Sequence, residues 1–143
     1  MQNLIARKIY KTKISAIKVV EEMDAGPIYV KEPLDLHGTA EEIFIRASNI
    51  VFEKMIPTIL NEELTPKDQE GEPIKFKRRK PKDGDINNLK TLEEIHDYIR
   101  MLDAEGYPKA FLETDELKLE FTRASRKVGH IEADVKITIK EPE

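Results

Sequence analysis

The sequence has 143 residues, of which 36% are charged, with a formal net charge of −4 and no cysteine. This length suits one domain or two very small ones, and the charge excludes the overall basic character of a non-specific nucleic-acid binder. The lack of cysteine excludes disulfides and thiolate chemistry, and no apolar run approaches the ~20 residues that span a membrane, so we expect a cytoplasmic protein.

The first 60 residues predict a strand, a loop, a second strand and a helix. Residues 14–20, ISAIKVV, are short, apolar and β-branched, and residues 28–36 form a second run of this kind. Thr39 and Glu42 have the spacing of a capping box, which predicts a helix start, and Pro57 is expected to kink or end that helix. This order is typical of one part of an α/β layer.

The rest of the chain predicts a linker followed by a small helix-and-sheet unit. Residues 61–73 are polar and contain proline and glycine, and residues 74–79, IKFKRR, predict a short strand. A second capping box at Thr91 and Glu94 begins a helix that continues to about Leu102. Three runs with alternating apolar residues then predict half-buried antiparallel strands, the last with one apolar face made of Ile131, Ala133, Val135, Ile137 and Ile139.

Asp24 lies at the corner MDAGP between the first two predicted strands. A carboxylate after an apolar strand lies where open α/β sheets bind ligands, and Ala25 and Gly26 would let a ligand approach the backbone closely. The alternative is that Asp24 only supports a turn through its side-chain oxygen. The spacing alone favours the turn.

A basic run, KFKRRKPK, begins at Lys75 and ends at Lys82. Such a run binds the phosphates of a nucleotide or an RNA backbone, or is simply a solvated strand beside a linker. The three histidines lie far apart without metal-ligand spacing, so no metal site is predicted. On residues alone, the chemistry is underdetermined.

The stretch KISAIKVVEEMDAGPIYVKEPLDLHGTAEEIFIRAS resembles the end of the catalytic domain of folate-dependent formyltransferases, the family of the methionyl-tRNA and sugar N-formyltransferases. GEPIKFKRRKPKDGDI is similar to the segment that joins their two domains, and IHDYIRMLDAEGYPKAFLE to the start of their C-terminal domain. The resemblance covers residues 13–125. It implies an α/β fold: the C-terminal fragment of a Rossmann-like catalytic domain (1–60), a linker with a basic strand (61–88) and a small α+β domain (89–143).

The resemblance also implies a reaction and a site. Members of the family move a formyl group from 10-formyltetrahydrofolate to a primary amine, carried by an aminoacyl-tRNA or an amino-sugar nucleotide. Asp24 falls on the aspartate of the family's catalytic Asn, His and Asp set, and the backbone of Glu21, Glu22 and Met23 on the segment that docks the pterin ring. Arg78 and Arg79 are the candidates for substrate binding, and the short tail favours the sugar branch slightly.

One departure limits what the resemblance implies. The family places its Asn and His in a motif Asn-x-His-x-Ser-x-Leu-Pro upstream of the aspartate, and this sequence has no such motif. We therefore expect the chain to be inactive without an N-terminal half, and to associate with that half, or with itself, through an unpaired sheet edge. The alternative is a non-enzymatic module that binds a polyanion or a protein through residues 75–82.

Overall fold

The computed structural model describes residues 1–140, and its mixture of helices and sheets confirms the expected α/β class. No helix among these residues is long and apolar enough to cross a membrane. The elements are α1 (Gln2–Ile5), β1 (Lys11–Ile17), β2 (Ile28–Asp35), α2 (Ala40–Ile50), a π-helical turn (Val51–Met55), α3 (Ile56–Asn61), a 3-10 turn (Pro81–Gly84), α4 (Leu92–Arg100), β3 (Ala110–Glu113), β4 (Leu117–Arg126) and β5 (Ile131–Ile139).

Strands β1 and β2 form an antiparallel pair, with Lys11 opposite Asp35 at one end and an irregularity at Ala16 and Ile17 at the other. The first strand therefore ends three residues earlier than the predicted 14–20, and residues 18–20 leave the sheet. Their departure follows from the irregularity, which ends the regular ladder. Asp24 thus lies in the connection of an antiparallel pair rather than at the carboxyl end of a parallel strand.

Helix α2 begins at the predicted capping box. The Thr39 N–H donates to the Glu42 carboxylate at 2.8 Å, and the Glu42 N–H donates to the Thr39 hydroxyl at 3.2 Å. The helix does not end at Pro57, because the π-helical turn intervenes and places this proline in the first turn of α3. The first turn of a helix tolerates proline, since its missing N–H would have no partner there.

Strands β3, β4 and β5 form an antiparallel sheet in that order, and α4 begins at the predicted capping box of Thr91 and Glu94. Helix α4 packs against β4, the central strand. The expectation that β5 is half-buried is wrong for its apolar face: Val135, Ile137 and Ile139 are all exposed. Their exposure follows from the position of α4, which packs on the central strand and leaves the apolar face of β5 largely uncovered.

The predicted strand at residues 74–79 is absent, and this segment is instead held by side-chain contacts. The Asn3 side chain donates to the Lys77 carbonyl at 3.0 Å, and the Arg7 guanidinium lies 4.8 Å from the centre of the Phe76 ring. These contacts attach the segment to the region around α1 without the backbone ladder that a strand requires.

The buried core draws on both ends of the chain. Within residues 1–140 it is one cluster, made of Ile5, Leu36, Ile43, Ile86, Ile99, Met101, Leu102 and Ala110. All three predicted segments, 1–60, 61–88 and 89–143, contribute to it. The boundaries of those segments therefore remain predictions.

Candidate functional site

The connection between β1 and β2 contains all four loop residues that the resemblance assigns to catalysis and cofactor binding. Glu21, Glu22, Met23 and Asp24 are each exposed. Asp24 adopts a left-handed backbone conformation, with φ of 59°, which few residues other than glycine and asparagine or aspartate tolerate. The loop therefore presents a carboxylate on a backbone that its neighbours must hold in place.

Gln69 holds this loop from the segment that follows α3. Its Nε2 donates to the Asp24 carbonyl at 2.7 Å and to the Gly26 carbonyl at 2.9 Å. Two backbone hydrogen bonds between Ile28 and Lys67, of 2.7 and 2.9 Å, fix the same segment alongside the start of β2. One side chain thus satisfies two carbonyl groups on either side of Ala25, and it fixes the backbone that carries the Asp24 carboxylate.

Gly26 is buried beneath the loop, where only a glycine fits. A Cβ atom at this position would lie 1.7 Å from the carbonyl oxygen of Lys18. The Lys18 N–H in turn donates to the Pro27 carbonyl at 2.8 Å, which closes the base of the loop. The small residues of the Ala-Gly-Pro corner therefore allow two backbone segments to lie in close contact. From the sequence we expected them to allow a ligand to approach the backbone.

The loop surface combines acidic and apolar side chains. Val19 is 93% exposed and Met23 is 87% exposed, and both flank the carboxylates of Glu21, Glu22 and Asp24. Both apolar side chains are therefore available for contact with another molecule. An exposed carboxylate beside them has the chemistry of a general base or of a group that orders a water molecule.

The predicted substrate-binding arginines line a different feature, a cavity of about 590 Å³. Arg78 is exposed, whereas the Arg79 guanidinium lies 4.9 Å from the centre of the Tyr98 ring and also donates to the Asp83 carbonyl. The wall opposite the basic segment comes from Met1 and the residues after it, and from residues 106–108. None of the residues 21–24 lines the cavity, so the structure does not bring the two predicted sites together.

The role of Gln69 could not be found from the sequence, because no sequence motif distinguishes this residue from its neighbours. It lies in a polar segment that predicts only a linker, and its role appears only when Lys67 pairs with Ile28. No group of three or more histidine, aspartate or glutamate side chains within residues 1–140 is arranged to hold a metal ion.

Comparisons with known proteins agree on one family. Residues 81–138 match the family model described as methionyl-tRNA formyltransferase, C-terminal domain. A solved structure of methionyl-tRNA formyltransferase from Clostridium thermocellum is 56% identical, with a TM-score of 0.93, over 97% of this chain and 61% of that one. The chain thus spans less than two thirds of that relative's length.

A more distant structure supports the fold alone. A variant of HypX from Aquifex aeolicus is 12% identical, with a TM-score of 0.62, over 86% of this chain and 22% of that one. A search of curated protein sequences finds no match. The identity to the Clostridium thermocellum structure and the matched family model show that this chain belongs to the formyltransferase family. It corresponds to the C-terminal portion of the family's proteins.

Proposed function

We propose that the chain forms the C-terminal part of an enzyme that transfers a formyl group from 10-formyltetrahydrofolate to the amine of an aminoacyl-tRNA. The proposal rests on the 56% identity to the Clostridium thermocellum protein over 97% of the chain. That protein and the matched family model are both named for methionyl-tRNA, so we favour this acceptor over the amino-sugar nucleotide that the short tail suggested. Both substrates are consistent with the expected cytoplasmic location.

In this proposal Asp24 assists proton transfer. The acceptor amine attacks the formyl carbon, a tetrahedral oxyanion forms, and the new ammonium group loses a proton as the bond from carbon to the folate nitrogen breaks. The Asp24 carboxylate would order the water or the histidine through which that proton reaches the leaving nitrogen. Its exposure and its fixed backbone support this role, since a proton-transfer group needs both access and position.

The remaining catalytic groups would come from the part of the relative that this chain does not match. The family's Asn and His, which stabilise the oxyanion, have no counterpart motif in the sequence. The exposed apolar side chains of the loop, Val19 and Met23, and of the helical segment, Ile45 and Phe52, provide the surface on which that part would pack. Without it, we expect no turnover.

The basic segment would contact the phosphates of the acceptor. Arg78 is the better candidate, because its side chain is exposed at the cavity, whereas Arg79 is already bound to Tyr98 and the Asp83 carbonyl. A guanidinium forms two parallel hydrogen bonds to a phosphate, which favours arginine at such a site.

The test joins the unmatched part of the Clostridium thermocellum protein to this chain and measures the transfer of labelled formyl groups to methionyl-tRNA. We expect transfer by the joined protein and none by the chain alone. Asp24→Asn should lower turnover by orders of magnitude, whereas Asp68→Asn, an exposed carboxylate close in sequence to Gln69, should leave it unchanged.

Three results would contradict parts of this proposal. Near-normal turnover of the Asp24→Asn protein would remove Asp24 from the mechanism. Transfer to an amino-sugar nucleotide but not to methionyl-tRNA would replace the acceptor. A joined protein that folds without any transfer, yet binds RNA in a strongly salt-dependent manner, would favour the non-enzymatic module.

A further inference from the structure

The two outer edges of the three-stranded sheet differ. At β3 the edge is covered, because Asp85 bridges to Phe111 and the Ile86 N–H donates to the Phe111 carbonyl at 3.0 Å. At β5 no strand within residues 1–140 pairs with the outer edge. An unpaired strand presents a row of backbone donors and acceptors on which another strand can pair.

Strand β5 carries charges on one face only and lacks the other features that normally protect such an edge. It has nine residues and no proline, and its apolar face is open to solvent: Val135 is 46%, Ile137 57% and Ile139 82% exposed. Proteins usually shorten, bend or charge an edge strand of this kind to prevent association. A long apolar edge that is left open is therefore typical of a surface with a partner.

The sequence of β5, IEADVKITI, identifies that partner, because it is complementary to itself around Val135. When two copies pair antiparallel about a two-fold axis at Val135, Asp134 of each copy lies opposite Lys136 of the other. On the opposite face, Ala133 lies opposite Ile137, and the strand ends pair isoleucine with isoleucine. Opposite charges and apolar pairs that face each other across strands stabilise a sheet.

Neighbouring registers are less complementary. An axis moved to position 134 or 136 pairs Glu132 with Lys136 or with Lys140, but it also places Asp134 opposite itself or Lys136 opposite itself, and like charges directly opposite each other are destabilising. An axis between two residues places Val135 opposite a charged residue, so that the apolar face of one copy continues into the polar face of the other. The self-complementary register is therefore centred on Val135.

We propose that two copies of this chain pair through their β5 strands about a two-fold axis at Val135 and form one continuous six-stranded sheet. Such an interface is isologous, with the same residues on both sides. The Asp134 carboxylate is accessible to the second copy, since it is half-exposed and both Arg123 contacts go to its Oδ2, which leaves Oδ1 for Lys136.

The first measurement is the mass of the chain by sedimentation equilibrium over a series of concentrations. We expect a dimer whose dissociation constant rises at least about tenfold in Lys136→Glu, because both ion pairs become repulsive. Lys54→Glu makes the same charge change at an exposed position in the π-helical turn and should leave the dissociation constant unchanged. Circular dichroism checks that each variant is folded.

The second measurement mixes Lys136→Glu with Asp134→Lys. Each variant alone has like charges at both pairs and should be largely monomeric, whereas the mixture has opposite charges at both and should form a one-to-one dimer. A loss of folding in either variant cannot produce this rescue. The proposal is overturned if the unmutated chain stays monomeric, if Lys136→Glu and Lys54→Glu dimerise equally, or if mixing fails to restore the dimer.

Discussion

Tyr10 and Asp97 lie 87 residues apart in the sequence, and the Tyr10 hydroxyl donates a 2.7 Å hydrogen bond to Oδ2 of Asp97. Arg100 occupies the other carboxylate oxygen, also at 2.7 Å, and its Nη1 donates to the carbonyls of Leu36 and Gly38 at 2.6 and 2.8 Å. Asp97 and Arg100 are each only 5% exposed. This buried ion pair joins α4 to the residues that follow β2.

Replacement of Arg100 should destabilise the chain strongly. Arg100→Met removes the cation and leaves the Asp97 carboxylate buried beside a single hydroxyl donor, a change that costs about 3–5 kcal/mol in comparable pairs. Arg46→Met is the control, because Arg46 also donates to two carbonyls, of Asp35 and His37, but neutralises no buried carboxylate. We expect it to cost only about 1 kcal/mol. Urea denaturation measures the free energy of unfolding of both variants. Equal decreases in the two variants would contradict the importance of the buried charge.

The Tyr10 hydroxyl should make stability fall at alkaline pH. Burial, together with the hydrogen bond to Asp97, raises the pKa of Tyr10 to about 12. Since an unfolded tyrosine titrates near pH ~10, the unfolded chain loses its proton first, and the free energy of unfolding decreases between these two values.

Tyr10→Phe removes this contribution. At neutral pH it should be less stable than the unmutated chain, because Asp97 loses a donor, and the difference should shrink as the pH rises from about 10 to about 12. Urea denaturation at several pH values tests this. The prediction fails if the difference between the two proteins stays constant over that range.

Gly26→Ala should disrupt the loop that carries Asp24. The new methyl group would lie 1.7 Å from the Lys18 carbonyl oxygen, so the two backbone segments must separate, at a cost of about 1–3 kcal/mol. Hydrogen exchange of residues 18–27 should become faster. Gly129→Ala is the control: a methyl group there would have no atom within 4 Å, and its positive φ of 82° confines the strain to the turn between β4 and β5, so exchange in the loop should not change. Unaltered exchange in Gly26→Ala would contradict the close contact.

Gln69→Glu should alter the loop without unfolding the protein. The substitution replaces the amide that donates to the Asp24 and Gly26 carbonyls with a carboxylate that repels them. In the joined enzyme we expect turnover to fall at least about tenfold, because a misplaced proton-transfer group is inefficient. Asn88→Asp makes the same chemical change at an exposed position between the 3-10 turn and α4, away from the loop, and should have no effect. If both variants keep full turnover, Gln69 does not position Asp24.

Local sequence signals predicted the elements that depend on local contacts. Thr39 with Glu42, and Thr91 with Glu94, lie three residues apart, and each pair forms the predicted capping box. The alternation in the last third of the chain likewise predicted β3, β4 and β5, because cross-strand neighbours of adjacent strands are set by short turns. The family followed from motifs in the sequence.

Features that depend on distant contacts could not be predicted. The 74–79 segment has the composition of a strand, but Asn3 holds its backbone and Arg7 packs on its Phe76 ring. Gln69 acquires its role only through the pairing of Lys67 with Ile28. The exposure of Val135 was missed for a different reason, since alternation identifies an apolar face but does not say what covers it.

The shared core has a consequence for folding. The region matched by the family model begins at residue 81, yet Ile5, Leu36 and Ile43 pack in the same cluster as Ile99 and Leu102. A gene fragment encoding residues 81–138 alone would therefore yield a polypeptide with its apolar interior open to water. The region matched by the family model therefore depends on the residues before it, so the folding unit is larger than the unit of sequence similarity.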